Sequence, residues 1–302
     1  AAAALDVLDE LLVAKRDEQP QTRTILVELR ARSRTTRGFI SLFDERSTRA
    51  GELFSSALTL QPGEVGAQVG QGYLQLERGE LPAAERAFLL GLGEADRDDD
   101  PGAGAGGYEA LIREMSALGL ARTEMVRGRP AEALVHYDRI LAADASAVHA
   151  LVGKASALVS LERGDEAREL IDRVLQVDPD NTYARTEAGI IAYNRGDLEH
   201  AEEHFLAAAE RAGATATCPH EGLGLVYLSQ GRVEDASTSF ETAIEIDPDV
   251  DYRKYNGLAR IHIDAGDYDR AEALLLKSRT NHPGGSEASE LLAEIERLRR
   301  DR

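Results

Sequence analysis

Seven alanines recur along the chain at Ala50, Ala84, Ala133, Ala167, Ala201, Ala236 and Ala271, spaced 34, 49, 34, 34, 35 and 35 residues apart. Four places after each comes a large apolar residue: Phe54, Phe88, Tyr137, Ile171, Phe205, Phe240 and Leu275. Twelve before each comes a small one: Gly38, Gly72, Ala121, Ala155, Gly189, Gly224 and Ala259. Pro62, Pro179, Pro248 and Pro283 stand twelve after their markers. A fixed period of this size marks one supersecondary unit repeated, in which no copy buries its apolar face alone and stacking completes the core. That constraint overrides the division into two ordinary domains that a length of 302 residues would otherwise suggest.

The stretch His220 to Pro248 shows the unit. Leu223, Val226 and Tyr227 recur at helical spacing, as do Ala236, Phe240, Ala243 and Ile244. Gly231 between them suits a left-handed C-terminal cap, and Asp247-Pro248 stops the second helix, because a residue before proline is pushed away from helical angles. The break glycine stands five before the marker in most copies; Gly164 is only three before Ala167, and the first copy has Glu45 at that place.

A small residue, an alanine twelve later, then an aromatic and Asp-Pro, on this period, resembles the tetratricopeptide repeat family over residues 31–283. The resemblance implies an all-α fold: an α-solenoid, a right-handed superhelix of about seven helix pairs with extra helices at both ends. Residues 1–30 are expected to be an N-terminal helical cap or docking segment. They are followed by the solenoid at 31–283, with an acidic glycine-rich insertion at 94–107, and by a capping helix at 284–302. Within the first segment, Leu5, Leu8, Leu11 and Leu12 have helical spacing, and Pro20 closes the pattern. Within the last, Ser286 suits an N-cap, and Arg297, Arg299, Arg300 and Arg302 favour a helix C-terminus.

The resemblance also implies which side chains face a ligand groove. The places 18, 15, 11 and 8 before the marker yield Phe39, Leu42, Tyr73, Leu76, Leu118, Arg122, Met125, Val152, Val159, Tyr183, Ile190, Tyr193, Leu225, Leu228, Asn256 and Arg260. This lining is mostly apolar and aromatic. A Lys/Asn clamp for a terminal carboxylate, used by some family members, is absent; Asn256 with Arg260 resembles half of it. The lining suits an amphipathic helix or extended apolar segment of a protein partner, laid in a groove. The alternatives are packing against the chain's own helices, or self-assembly into rings or filaments through the same groove.

Chemistry is sparse. His200, Glu203 and His204 fit the H-x-x-E-H pattern of a zinc peptidase, but Ala201 and Phe205 are repeat positions and a third ligand is lacking. Asp96, Asp98 and Asp100 look like the start of a calcium loop, yet Pro101 replaces the required glycine and Gly107 the closing glutamate. Cys218 before Pro219 and His220 has no partner cluster. No catalytic residue, cofactor or metal is expected. A formal charge of −19 repels nucleic-acid phosphates. A single cysteine leaves no internal disulfide, which suits a cytoplasmic setting without excluding a periplasmic one. No apolar run reaches the length of a membrane span. The start at Ala1 rather than Met fits a processed or trimmed form. Few lysines among many acids suit either a saline habitat or a GC-rich genome.

Overall fold

A computed structural model describes residues 20–43, 47–95, 107–212, 217–248, 252–281 and 286–300. The expected leucine-bearing helix at 5–18, Glu45 and the calcium-like loop at 96–106 lie outside the described residues. These contain fifteen helices and no strand.

The chain divides into two compact units, Ala1–Leu161 and Glu162–Arg302. The first contains α1 (Pro20–Phe43), α2 (Ser47–Leu60), α3 (Val65–Glu77), α4 (Leu81–Ala95), α5 (Tyr108–Val126), α6 (Pro130–Ala143) and α7 (Val148–Ser160). The second contains α8 (Gly164–Val177), α9 (Thr182–Asn194), α10 (Leu198–Ala212), α11 (Thr217–Ser229), α12 (Val233–Ile246), α13 (Arg253–Asp264), α14 (Tyr268–Asn281) and α15 (Ser286–Arg300). Helix α1 runs unbroken across residue 30, where the repeat pattern begins. Within each unit consecutive helices pack as antiparallel hairpins. The first helices of successive hairpins also touch each other, α1 to α3 to α5 to α7, and α9 to α11 to α13 to α15. The second helices make no comparable mutual contact among the described residues, so in each unit the first helices form the tighter, inner layer.

The hairpin turns are built alike. Gly79, Gly128, Gly196, Gly231 and Gly266 all have φ between 71° and 76°. In each, the next residue's N–H reaches back five places, as from Arg232 to the Tyr227 carbonyl at 2.8 Å. This is the Schellman cap, which satisfies carbonyls the helix end would orphan. In the copy whose glycine is displaced to 164, Glu162 adopts φ 61° instead. A left-handed L-residue costs about 1–2 kcal/mol relative to glycine.

The seven marker alanines are fully buried, and the residues four later are at most 3% exposed. The period therefore records packing. Phe240 shows why the partners are small. A Cβ on Gly224 of the same hairpin would stand 2.6 Å from the Phe240 ring, and one on Gly257 of the next hairpin 2.4 Å. The ring is thus wedged between two bare stretches of backbone. Phe54, Phe88 and Phe205 are held the same way, by Gly38 and Gly70, Gly72 and Gly119, and Gly189 and Gly222. The second glycine of each pair, fourteen before the next marker, is a repeat position beyond the small residue at twelve. Where the wedge is Ile171, that following place holds Glu187. In the first unit the rings also meet edge to face, Phe39 on Phe54 at 5.3 Å and Tyr73 on Phe88 at 5.0 Å. Such pairs add about 0.5–1.5 kcal/mol beyond area burial.

Candidate interaction surfaces

The residues expected to line a groove lie on first helices, in the inner layer of each unit. In the first unit Phe39, Tyr73 and Leu118 are buried, at 2%, 3% and 5% exposure. The Tyr73 hydroxyl donates to the Met115 carbonyl at 2.6 Å. These three are core. Leu42, Leu76, Met125, Val152 and Val159 are half-buried, and Leu42, Leu76 and Met125 rest on the core cluster. Arg122 is exposed and lies 6.0 Å over the Tyr73 ring. Burial pushes the Tyr73 phenol up, with the Arg122 guanidinium opposing. Burial first, then Arg122, holds the His149 imidazole below its ordinary range. The Arg122 guanidinium therefore sits beside the apolar inner side chains of this unit.

In the second unit Ile190, Tyr193, Leu225 and Leu228 are half-buried and rest on the Phe205–Phe240 core, while Tyr183 is 45% exposed. Tyr193 and Ser229 pair through their hydroxyls at 3.3 Å. Asn256 and Arg260 face the chain's own last helix. Asn256 donates to Glu287 at 2.8 Å and accepts from Ser278 at 2.6 Å. Arg260 holds both carboxylate oxygens of Glu294 at 3.0 Å. Glu287 and Glu294, one face of α15, thus take up the half-clamp, and Ala288, Leu291 and Ile295 seal the apolar end against Ala259, Ile263 and Leu275.

The zinc-like histidines are separated in role. His200 is exposed and bonds Asp197 at 2.8 Å, which raises the imidazole's pKa and lowers the carboxyl's. His204 is half-buried, its pKa lowered by burial. Among the described residues no three His, Cys, Asp or Glu side chains come together to hold a metal. Cys218 is exposed. No described helix is long and apolar enough to cross a membrane.

Two polar arrangements were not anticipated from the sequence. Buried Glu64 caps α3 through the Ala67 N–H at 3.0 Å and accepts from the hydroxyls of Thr35 on α1 and Tyr108 on α5. Arg32 lies beside it, bonded to Glu109 at 2.9 Å and stacked 4.8 Å over the Tyr108 ring. At the outer side of the α1–α2 hairpin, Arg34, Arg37 and Arg49 line a cleft of about 380 Å³ with Glu52, Leu53 and Ser56. The visible signal was α1 itself, which carries Arg23, Arg30, Arg32, Arg34 and Arg37 against one acid, Glu28, in a chain of charge −19.

A tetratricopeptide repeat model matches residues 124–188 and 227–295. A protein CTR9 homolog of Arabidopsis thaliana is 32% identical over 155 residues, 51% of this chain and 13% of that protein. A tetratricopeptide repeat and J domain-containing co-chaperone of Fusarium oxysporum is 28% identical over 132 residues, covering 44% and 24% respectively. A probable SPINDLY N-acetylglucosaminyltransferase of Hordeum vulgare is 27% identical over 182 residues, covering 58% and 19%. The chain thus spans a quarter or less of the curated relatives it matches. Among solved structures, the APC/C hetero-tetramer Cut9–Hcn1 aligns with a TM-score of 0.65 at 15% identity, over 96% of this chain and 52% of that one. A tetratricopeptide repeat protein of Parabacteroides merdae aligns at 0.60 and 16%, covering 88% and 98%. These likenesses show the fold, an all-α solenoid. The matched segments, the buried marker alanines and the five glycine turns of one design agree: residues 124–188 and 227–295 are tetratricopeptide repeats, and the other described hairpins share their packing.

Proposed function

We propose that this protein is a non-enzymatic scaffold whose inner-layer side chains hold an apolar or amphipathic segment of a protein partner. The observation that carries the reading is the half-buried strip Ile190, Tyr193, Leu225 and Leu228. Each keeps one side on the core of the second unit and leaves part of its apolar surface accessible. Half-buried apolar side chains in register on neighbouring helices suit the helix-in-groove mode, in which anchors at helical spacing enter an apolar channel. The transferase relatives lend no activity here, since the chain spans a fifth or less of each.

The test compares the intact chain with a Leu225→Glu/Leu228→Glu variant as bait, after circular dichroism shows equal helicity. Partners retained by the parent and lost by the variant are expected; an identical set retained by both overturns groove binding. Light scattering across concentration is run alongside: a mass that grows with concentration, and ceases to grow in the variant, would transfer the same strip to self-assembly.

A further inference from the structure

Two copies carry arginine eleven places before the marker, Arg122 on α5 and Arg260 on α13. The second unit displays what that place accepts. Glu294, 34 residues further on, stands on the next first helix, α15, and Arg260 holds both of its carboxylate oxygens at 3.0 Å. A planar guanidinium meets a carboxylate at two points, which fixes geometry as well as charge. Asn256, one turn earlier on α13, donates to Glu287 of the same helix. The place is thus a receptor for an acidic segment with apolar neighbours, and in the second unit the chain fills it with its own α15.

In the first unit the same step from Arg122 leads to Ser156 on α7, which has no charge to offer. Arg122 is exposed and lies over the Tyr73 ring, whose hydroxyl is tied to the Met115 carbonyl. The fixed ring supports the guanidinium without neutralising it, and among the described residues no carboxylate pairs with it. On α5 the arginine stands one turn after buried Leu118 and one turn before half-buried Met125. Leu76 on α3 and Val159 on α7 are half-buried in the row of Met125, and Val152 on α7 in the row of Leu118. One positive charge is therefore framed by apolar side chains that keep accessible surface. In a chain of charge −19, which attracts basic segments elsewhere, this inner place favours the opposite sign.

We propose that Arg122 selects one acidic side chain, Asp or Glu, in an apolar segment of a protein partner laid across α3, α5 and α7. The residues on either side of that acid pack on Leu76, Met125, Val152 and Val159. Arg122 thereby does for a partner what Arg260 does for the chain's own last helix. The site rests on the inner-layer binding mode proposed for the second unit, and gives the first unit a stated chemistry. The asparagine that accompanies Arg260 has no counterpart beside Arg122, since Leu118 holds its place. The site is accordingly fitted to a single side-chain carboxylate between apolar neighbours, not to a chain terminus.

The test is selection from a random library of 12-residue peptides, displayed without free termini, on the full-length protein and on Arg122→Gln and Arg122→Glu, each first shown by circular dichroism to keep parental helicity. The parent is expected to enrich peptides with Asp or Glu at one place among apolar residues. Synthetic copies of these, acetylated and amidated, should bind the parent about tenfold more weakly once that acid is changed to its amide, the size of one charge-assisted hydrogen bond. Acid and amide peptides should bind Arg122→Gln alike, and Arg122→Glu should enrich Lys or Arg at that place. The Leu225→Glu/Leu228→Glu variant, altered in the second unit, should keep the acid preference; its loss there overturns the assignment to Arg122. If Arg122→Glu fails to fold, Arg122→Gln decides. Enriched peptides without an acidic place, or an acid preference that survives in Arg122→Gln, overturn this proposal and leave the apolar groove standing. A parent that enriches no peptide overturns both.

Discussion

The two ends of the repeat array are finished by different physics. At the C-terminal end α15 lays Ala288, Leu291 and Ile295 on Ala259, Ile263, Ala271 and Leu275, and the polar pair Asn256 and Arg260 receives Glu287 and Glu294. Burial dominates there and the charges set the register. At the N-terminal end Arg34, Arg37 and Arg49 line a cleft of the α1–α2 hairpin with Glu52, Leu53 and Ser56, and Arg34 donates to the Ser56 hydroxyl. An apolar end needs a permanent cover, whereas a cleft lined by guanidinium groups tolerates water. The contrast teaches that termination of a solenoid is a property of its last few side chains, not of the repeat itself.

Four measurements would break or sharpen this contrast. The largest effect is expected from Ile295→Ala: the side chain is 1% exposed, and truncating a buried isoleucine costs about 2–5 kcal/mol. Urea unfolding should show it as a lower midpoint, and no shift would mean that α15 is not a structural lid. Asn256→Ala comes next, at about 1–3 kcal/mol, because buried Ser278 loses its acceptor and Glu287 its donor. Glu294→Gln should cost under about 1 kcal/mol, since this ion pair is partly exposed and screened. The smallest effect is a change of protection without a change of global stability. Raising salt to about 0.5 M should speed amide exchange in α1 while leaving α15 unaltered, as screening acts on exposed charge and scarcely on apolar burial. Parallel changes in both helices would erase the distinction between the ends.

Much of the architecture was legible because a few positions recur together. Alanine and the aromatic four places later can be found without coordinates, since both are forced by close helix crossing in every copy. The glycine fourteen before the marker was harder to see: Gly70, Gly119, Gly153, Gly222 and Gly257 hold it, but Thr36 and Glu187 interrupt it. It serves the preceding copy's aromatic, so it makes sense only once neighbours are stacked. The turn at Glu162 was hidden for a related reason, because a left-handed backbone leaves no mark when the residue is not glycine. Of the groove residues, the family resemblance indicated the helix and the layer but not the depth, which depends on how the neighbouring helices pack around each side chain. Hence Phe39 and Tyr73 proved to be core while Leu225 and Leu228 kept an accessible side. The arginine cleft was missed because a repeat alignment looks for sameness, and this end is defined by departure from it.

The ring held between two bare backbones makes a rule of grammar for the whole array. Each phenylalanine constrains the copy that comes after it, so adjacency, not membership, decides which copies are interchangeable. The copy bearing Glu187 can follow Ile171 but could not follow Phe205 or Phe240, whose rings would collide with anything larger than hydrogen at that place. Duplications or deletions in such a gene would survive only at junctions where the incoming unit has nothing to put in the way.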